Sequence, residues 1–303
     1  MAKAAASPSD ELLALLALRE KFSSTQALAD HLGAPRETIR DRLREASGLV
    51  GDRLSSILIV PDVHAPYHDE NAWQLMLDVA RDLKPETIVC IGDLADFYAV
   101  SAHSKDPARA SLLKYEIDVV REKRAELDAL GAKNKVFCEG NHCYRLTRYL
   151  QDKAPALFES VDVSSVLGLE ANGWEFIPYR NHKRRGAVHY THDTGASGRY
   201  ATFKSLDTYQ HSVVTGHTHR VVYIVEGNAV GDAKLSASFG WLGDVNQIDY
   251  MHRAKAKKDW ALCFGIGYED SQTGHAFLVP MPIVEYRTVF NGKLYKAPGL
   301  RKR

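Results

Sequence analysis

Acids, histidines and one asparagine gather in this sequence at five short, well-separated places: Asp62-Val63-His64, Gly92-Asp93, Gly140-Asn141-His142, His192-Asp193 and Gly216-His217-Thr218-His219. Mixed carboxylate, imidazole and amide donors suit borderline divalent metals such as manganese, iron or zinc, whereas calcium takes oxygen alone. Asp62 and His64, like His217 and His219, stand at i and i+2, positions that share a side on an extended backbone. Each pair is therefore expected to form a two-tooth clamp. Any one fragment reads equally well as a polar turn after a strand. Five in succession point to one shared site with seven candidate ligands. A metal held by such donors can lower the pKa of a bound water towards neutrality and so supply a nucleophile. No covalent nucleophile is needed, and the chain shows no nucleophile-elbow serine, P-loop or Rossmann glycine fingerprint.

The elements that must position these residues follow from the apolar pattern. Strand-like runs occur at 56–60, 87–91, 135–138, 187–191 and 212–215, with helical segments over 70–83 and 110–130 between them. Each strand runs directly into one of the polar fragments, and in open α/β sheets sites assemble where strand C-terminal ends converge. Beyond 220 the chain reads as β-rich and closes on a hairpin signal, Asn291-Gly292. Residues 1–46 differ and read as short helices. Ser7-Pro8-Ser9-Asp10 and Ser23 with Gln26 are start signals, Gly33 is a stop, and a third helix follows Pro35. Two short helices about a glycine turn match a helix-turn-helix. Residues 47–55 lack periodicity and read as a linker to a domain over 56–298.

The 303 residues are 45% apolar and 25% charged, with net charge +1, which excludes an acidic tail protein and a globally basic coat. No run approaches the roughly 18 apolar residues of a membrane helix, and residues 1–10 carry no secretory pattern. Four cysteines are too few for a disulfide framework. The expectation is a cytoplasmic protein with reduced thiols and no membrane partner.

The ordered blocks resemble the calcineurin-like metallophosphoesterases, whose pattern is D-x-H, G-D-x-x-D, G-N-H-[DE], a histidine after a strand, and G-H-x-H. Here they stand as Asp62-Val63-His64, Gly92-Asp93-Leu94-Ala95-Asp96, Gly140-Asn141-His142-Cys143, His192 and Gly216-His217-Thr218-His219, across roughly residues 56–226. The surrounding wording is similar to the versions carried by bacteriophages, which would place the chain in a host cytoplasm. The resemblance implies a four-layer α/β/β/α sandwich. It also implies two divalent ions, manganese foremost, with iron, zinc, nickel or magnesium as alternatives. Asp62, His64 and His219 would hold one ion, Asn141, His192 and His217 the other, and Asp93 would bridge them. His142 would contact the phosphate or protonate the leaving oxygen.

Three departures stand out. Cys143 replaces the acid that usually orients the neighbouring imidazole, and reads as a buried small hydrophobe. Asp193 follows His192 where a small residue is common. Phe97 stands where the serine/threonine phosphatase branch has its phosphate-clamping arginine, which argues against a phosphoprotein phosphatase. His189, mid-strand on the opposite pleat face, is a weaker ligand candidate than His192. His68 and His103 follow site loops.

Substrate choice is read from basic and aromatic residues. Arg199 in the Asp193–Tyr200 loop, and His103, are candidate substrate contacts; Trp241 and Tyr250 could stack bases or equally belong to the core. Basic clusters occur at 182–185, 253–258 and 301–303. In the head, Arg36, Arg40, Arg42 and Arg44 could reach DNA, although residues 1–50 hold seven basic and seven acidic side chains. The favoured reading is a phosphodiesterase or nuclease acting on nucleic acid. Alternatives are a phosphomonoesterase or small-nucleotide phosphodiesterase, and a catalytically weak DNA-binding regulator. A homo-oligomer is compatible with the sequence.

Overall fold

The computed structural model describes residues 8–50, 54–107, 111–227, 229, 232–247 and 259–297. The chain divides into two compact units, residues 1–55 with 269–275, and residues 56–268 with 276–303.

The head is a three-helix unit: α1 (Pro8–Arg19), α2 (Thr25–Leu32) and α3 (Arg36–Val50). Leu15, Leu28, Ala29 and Ile39 form its core, with Leu18, Phe22, Ala34 and Leu43 packed around them. Local chemistry sets the ends of α2. The Ser24 hydroxyl, rather than that of Ser23, caps it by accepting the Ala27 N–H at 3.1 Å. Gln26 instead bonds Asp30 along the helix, and Gly33 ends α2 at φ +62°. The third helix runs to Val50, so residues 47–50, expected as linker, are helical. Gly48 lies within it, at a cost of about 1 kcal/mol that is too small to stop a helix.

In the larger unit, β1 (Leu54–Val60), β2 (Thr87–Cys90), β3 (Asn134–Cys138) and β4 (Trp174–Ile177) lie parallel. With β10 (Cys263–Asp270) and β11 (Ala276–Pro282) they form one sheet, ordered β11-β10-β1-β2-β3-β4. A second sheet, ordered β5-β6-β7-β9-β8, contains β5 (Lys183–Arg185), β6 (Val188–Tyr190), β7 (Ser212–Thr215), β8 (Val221–Gly227) and β9 (Ala233–Phe239). Side-chain alternation makes four layers of them. Leu58, Val60, Ile88, Cys90 and Phe137 face a core with Trp73, Leu75 and Val79 of α4 (Glu70–Leu83) and Val120 and Leu127 of α5 (Leu113–Asp128). Their neighbours Ile57, Ile59, Val89 and Ile91 point the other way, onto Val188, Tyr190, Val214 and Phe239 of the second sheet. That sheet is covered on its far side by α8 (Ala201–Tyr209) against β7 and β9. Each fully buried Leu or Ile contributes about 1.5–3 kcal/mol. Burial on both faces explains why these strands read as unbroken apolar runs. Two shorter helices, α6 (Tyr144–Lys153) and α7 (Val163–Leu167), follow β3, and the hairpin β12 (Arg287–Phe290) and β13 (Lys293–Lys296) turns at Asn291 and Gly292, both at positive φ. Among the described residues no helix is long and apolar enough to cross a membrane.

Candidate metal centre

The C-terminal ends of β1, β2, β3, β6 and β7 deliver their polar residues to one place between the sheets. His64 Nε2 and His219 Nε2 lie 3.0 Å apart, and His219 Nε2 lies 3.1 Å from Asp62 Oδ2. Alongside, Asn141 Oδ1 lies 2.9 Å from His192 Nε2 and 2.8 Å from His217 Nδ1, and His192 Nε2 lies 3.3 Å from Asp93 Oδ2. Asp93 joins the halves, since its carboxylate is within 4.8 Å of donor atoms of Asp62 and His192 and, in a second group, of His64. Metal–nitrogen bonds of about 2.1 Å at right angles put neighbouring donors about 3 Å apart. Two imidazole nitrogens facing at that distance, together with a buried Asp62 Oδ1 that has no hydrogen-bond partner, are what a pair of cation shells requires. The residues fit the group.

Glycine precedes the ligands for a steric reason. A Cβ on Gly92 would stand 2.2 Å from His192 Nδ1, on Gly140 2.1 Å from Asp93 Oδ1, and on Gly216 2.4 Å from Asp62 Oδ1. The ligands themselves occupy unusual backbone. His64, Asp93, His217 and His219 have φ of 56°, 42°, 66° and 57°, at roughly 1–3 kcal/mol each. Asp62 and His64 converge on one cluster as expected, but the clamp expected of His217 and His219 is corrected here. The chain leaves extended geometry at these residues, so His217 faces Asn141 and His192 while His219 faces Asp62 and His64.

Outer partners fix the tautomers. His64 Nδ1 meets Asp96 Oδ2 at 3.2 Å and His192 Nδ1 donates to the Ile91 carbonyl at 3.1 Å, leaving both Nε2 atoms as donors to metal. The His217 and His142 backbone N–H groups donate to Asp62 Oδ2 and Asp93 Oδ1, each at 2.8 Å. Burial alone would raise Asp93, but His192 and His142 more than offset it and hold its carboxyl well below the ordinary range. Burial pushes His219 down to about 4, whereas Asp93 and Asp62 outweigh burial at His192 and lift it to about 10.

Two residues here escaped sequence reasoning. Asp96 Oδ2 meets His142 Nδ1 at 2.9 Å as well as His64, and Arg145 donates to Asp96 Oδ1 at 2.7 Å and to its carbonyl at 2.9 Å. Arg145 also lies 3.1 Å from His142 Nε2. Asp96 thus orients the imidazole that the acid at 143 usually orients. Its place as the second acid of G-D-x-x-D was the available signal. Arg145 had none beyond helical spacing, three residues after His142. Cys143 is buried, with Sγ 3.6 Å from the Ala95 carbonyl, and burial raises its thiol.

Other expected contacts lie elsewhere. Trp241 is 3% exposed and stacks on His219 at 4.9 Å, with Trp260 edge-on to His219 at 4.3 Å, so its ring is committed to packing rather than to bases. Arg199 is exposed and adds a little to the Arg220 hydrogen bond that lowers Asp259; His103 is exposed, with its backbone N–H on Ser101 Oγ at 3.2 Å. Neither reaches the ligand cluster, because each extends from a surface loop. His68 pairs with Glu70, and His189 packs with His182, Tyr209 and His211. Arg36, Arg40 and Arg42 are exposed on α3; Arg40 approaches Glu37 and Asp41, and Arg42 approaches Glu11. The Arg44 side chain, Ser7, Tyr250 and the basic runs 253–258 and 301–303 lie outside the described residues. Beside His217 opens a cavity of about 480 Å³, lined by Tyr179, Arg180, Asp193 and Tyr209 among others. Burial and the neighbouring Asp193 carboxylate push the Tyr179 hydroxyl up to about 12.

Comparison with known proteins bears on the same span. Residues 55–265 match calcineurin-like phosphoesterase. The Gene 54 protein of Mycobacterium phage L5 is 27% identical over 263 residues, covering 79% of this chain and 98% of that protein. Its counterpart in phage D29 is 27% identical over 243 residues, covering 74% and 93%. Among solved structures, Vacuolar Protein Sorting 29 from Cryptosporidium parvum aligns with TM-score 0.42 and 16% identity, over 80% of this chain and 94% of that one. Vps29 from Entamoeba histolytica aligns with TM-score 0.41 and 13% identity, over 79% and 95%. The matched span takes in every strand end that carries a donor, and on it the chain belongs to the calcineurin-like phosphoesterase family.

Proposed function

We propose that this chain is a phosphodiesterase that cleaves nucleic acid with two divalent cations, manganese foremost. Asp62, His64 and His219 would hold one, Asn141, His192 and His217 the other, and Asp93 both. When bound, the cations supply an activated water and neutralise charge on the phosphoryl oxygens. The chain's own part is positioning. Asp96 holds His142 through Nδ1; once the Arg145 guanidinium gives up Nε2, that atom would meet a phosphoryl oxygen or deliver a proton to the leaving oxygen, worth about 10²–10⁴ in rate.

The observation that favours a diester is the state of Arg145. A dianionic monoester gains most from an added guanidinium, yet this one is already bonded to Asp96 and set against His142. Phe97, in the clamp position, is fully buried. A diester carries one charge and needs room for a second ester arm, which the cavity beside His217 offers. The exposed arginines of α3 support nucleic acid as the substrate. All four cysteines are buried and free, which supports work in a reducing host cytoplasm, and the relatives above are phage proteins.

The test compares the manganese-loaded protein on a bis-aryl phosphodiester, an aryl monoester and single-stranded DNA. Diester and DNA are cleaved, and Asp93→Asn removes both activities while sparing DNA affinity. Turnover of the monoester alone overturns the diesterase reading. No turnover of any substrate leaves a DNA-binding regulator.

A further inference from the structure

Asp193 stands where the family pattern commonly has a small residue. It follows His192 directly and lines the cavity on the side of His217. Its two oxygens differ. Oδ1 accepts the Gly195 N–H at 2.8 Å and closes the turn that starts the glycine-rich loop. Oδ2 is buried, and the Tyr179 hydroxyl donates to the carboxylate. A donor atom of Asp193 also lies within 4.8 Å of donor atoms of both His192 and His217. A half-buried carboxylate met by neutral donors alone keeps its charge largely uncompensated, and in a phosphate cleft that charge repels the substrate. A cation resolves both problems.

Resting on the reading of this site as a two-cation centre, we propose that Asp193 is a further ligand to the cation held by Asn141, His192 and His217. That shell then has two carboxylates, Asp93 and Asp193, where the family pattern has one. The added hard donor favours oxygen-loving ions such as manganese and magnesium over softer ones at this position. It also places a negative side chain at the mouth of the cavity that is neutral only when the cation is present, tying cavity electrostatics to metal loading.

The test titrates manganese into the metal-stripped full-length chain by calorimetry. Asp193→Asn keeps an acceptor for the Gly195 turn and removes only the charge; Asp193→Ala removes both. The wild type takes up two ions. Both variants hold one ion as before and bind the other at least about tenfold more weakly, the lower end of what even an outer partner of a ligand contributes. Melting curves of the stripped proteins report the fold, and the Asn variant carries the test should the Ala variant unfold. Wild-type affinity at both sites in Asp193→Asn overturns the proposal. The diesterase reading fails separately: a wild type that binds two ions and cleaves no diester sinks that reading and leaves Asp193 a ligand.

Discussion

One carboxylate oxygen, Asp96 Oδ2, serves two imidazoles, at 2.9 Å from His142 and 3.2 Å from His64. Asp96→Asn keeps the shape and loses the charge. It should lower turnover of a diester by about 10–100-fold, the usual effect of an outer partner, with KM changing less than kcat. Unchanged kcat would assign His142's orientation to Arg145 instead. Glu139 gives a pH signature. Burial raises it from 4.5 to about 7, against a hydrogen bond from the Tyr179 N–H. Between those values the folded chain keeps a proton that the unfolded chain has lost, so stability falls as pH rises through about 7. Melting the metal-stripped wild type and Glu139→Gln at pH 5 and pH 8 should show a smaller drop in the variant; parallel drops refute this. Residue identity was largely legible at this scale. Asp62, His64, Asp93, Asn141, His192, His217 and His219 stand out by type and position. The acid at 96 is marked by its place in G-D-x-x-D, but its partners lie 32 and 46 residues away, so its role was not legible.

The donors are held by strand ends, and the glycines there are what let the strands approach. Gly140 has ordinary backbone, so the cost of a side chain is purely steric: its Cβ would meet the Asp93 amide nitrogen at 2.5 Å as well as the carboxylate. Because that nitrogen is main chain, the clash cannot be relieved by a rotamer. Gly140→Ala should cost about 1–3 kcal/mol, as overpacking does, and reduce bound manganese below two ions per chain by elemental analysis. Full loading would show that the ends can part. Strands of this kind announce themselves through apolar runs such as residues 56–60, and Asn291-Gly292 announces its hairpin. The positive φ at His64 and His219 was hidden, since histidine gives no local sign of left-handed backbone. Where α3 ends was hidden too, because residues 47–50 show no apolar period and are helical all the same.

At the scale of the molecule, alternation along β1 already divides the chain into two cores: Leu58 and Val60 serve one, Ile57 and Ile59 the other. That one strand feeds both was not readable before the sheets were known, since the apolar run Ile57 to Val60 has no visible period. The head is a separate unit with its own core, and its role belongs to this scale. Arg36→Ala with Arg40→Ala should weaken binding to DNA and reduce the salt slope of the affinity by about two. Hydrolysis of a small aryl diester should stay as in the wild type. An unchanged slope would make the head a packing module.

The indole of Trp241, stacked 4.9 Å from a ligand ring and tilted from it by 13°, has one more consequence. Any ion that settles on His219 alters the electronic surroundings of that indole within van der Waals reach, and a paramagnetic one quenches its emission. The protein therefore carries a built-in optical gauge of how full its inner site is, readable in a cuvette before any substrate is added.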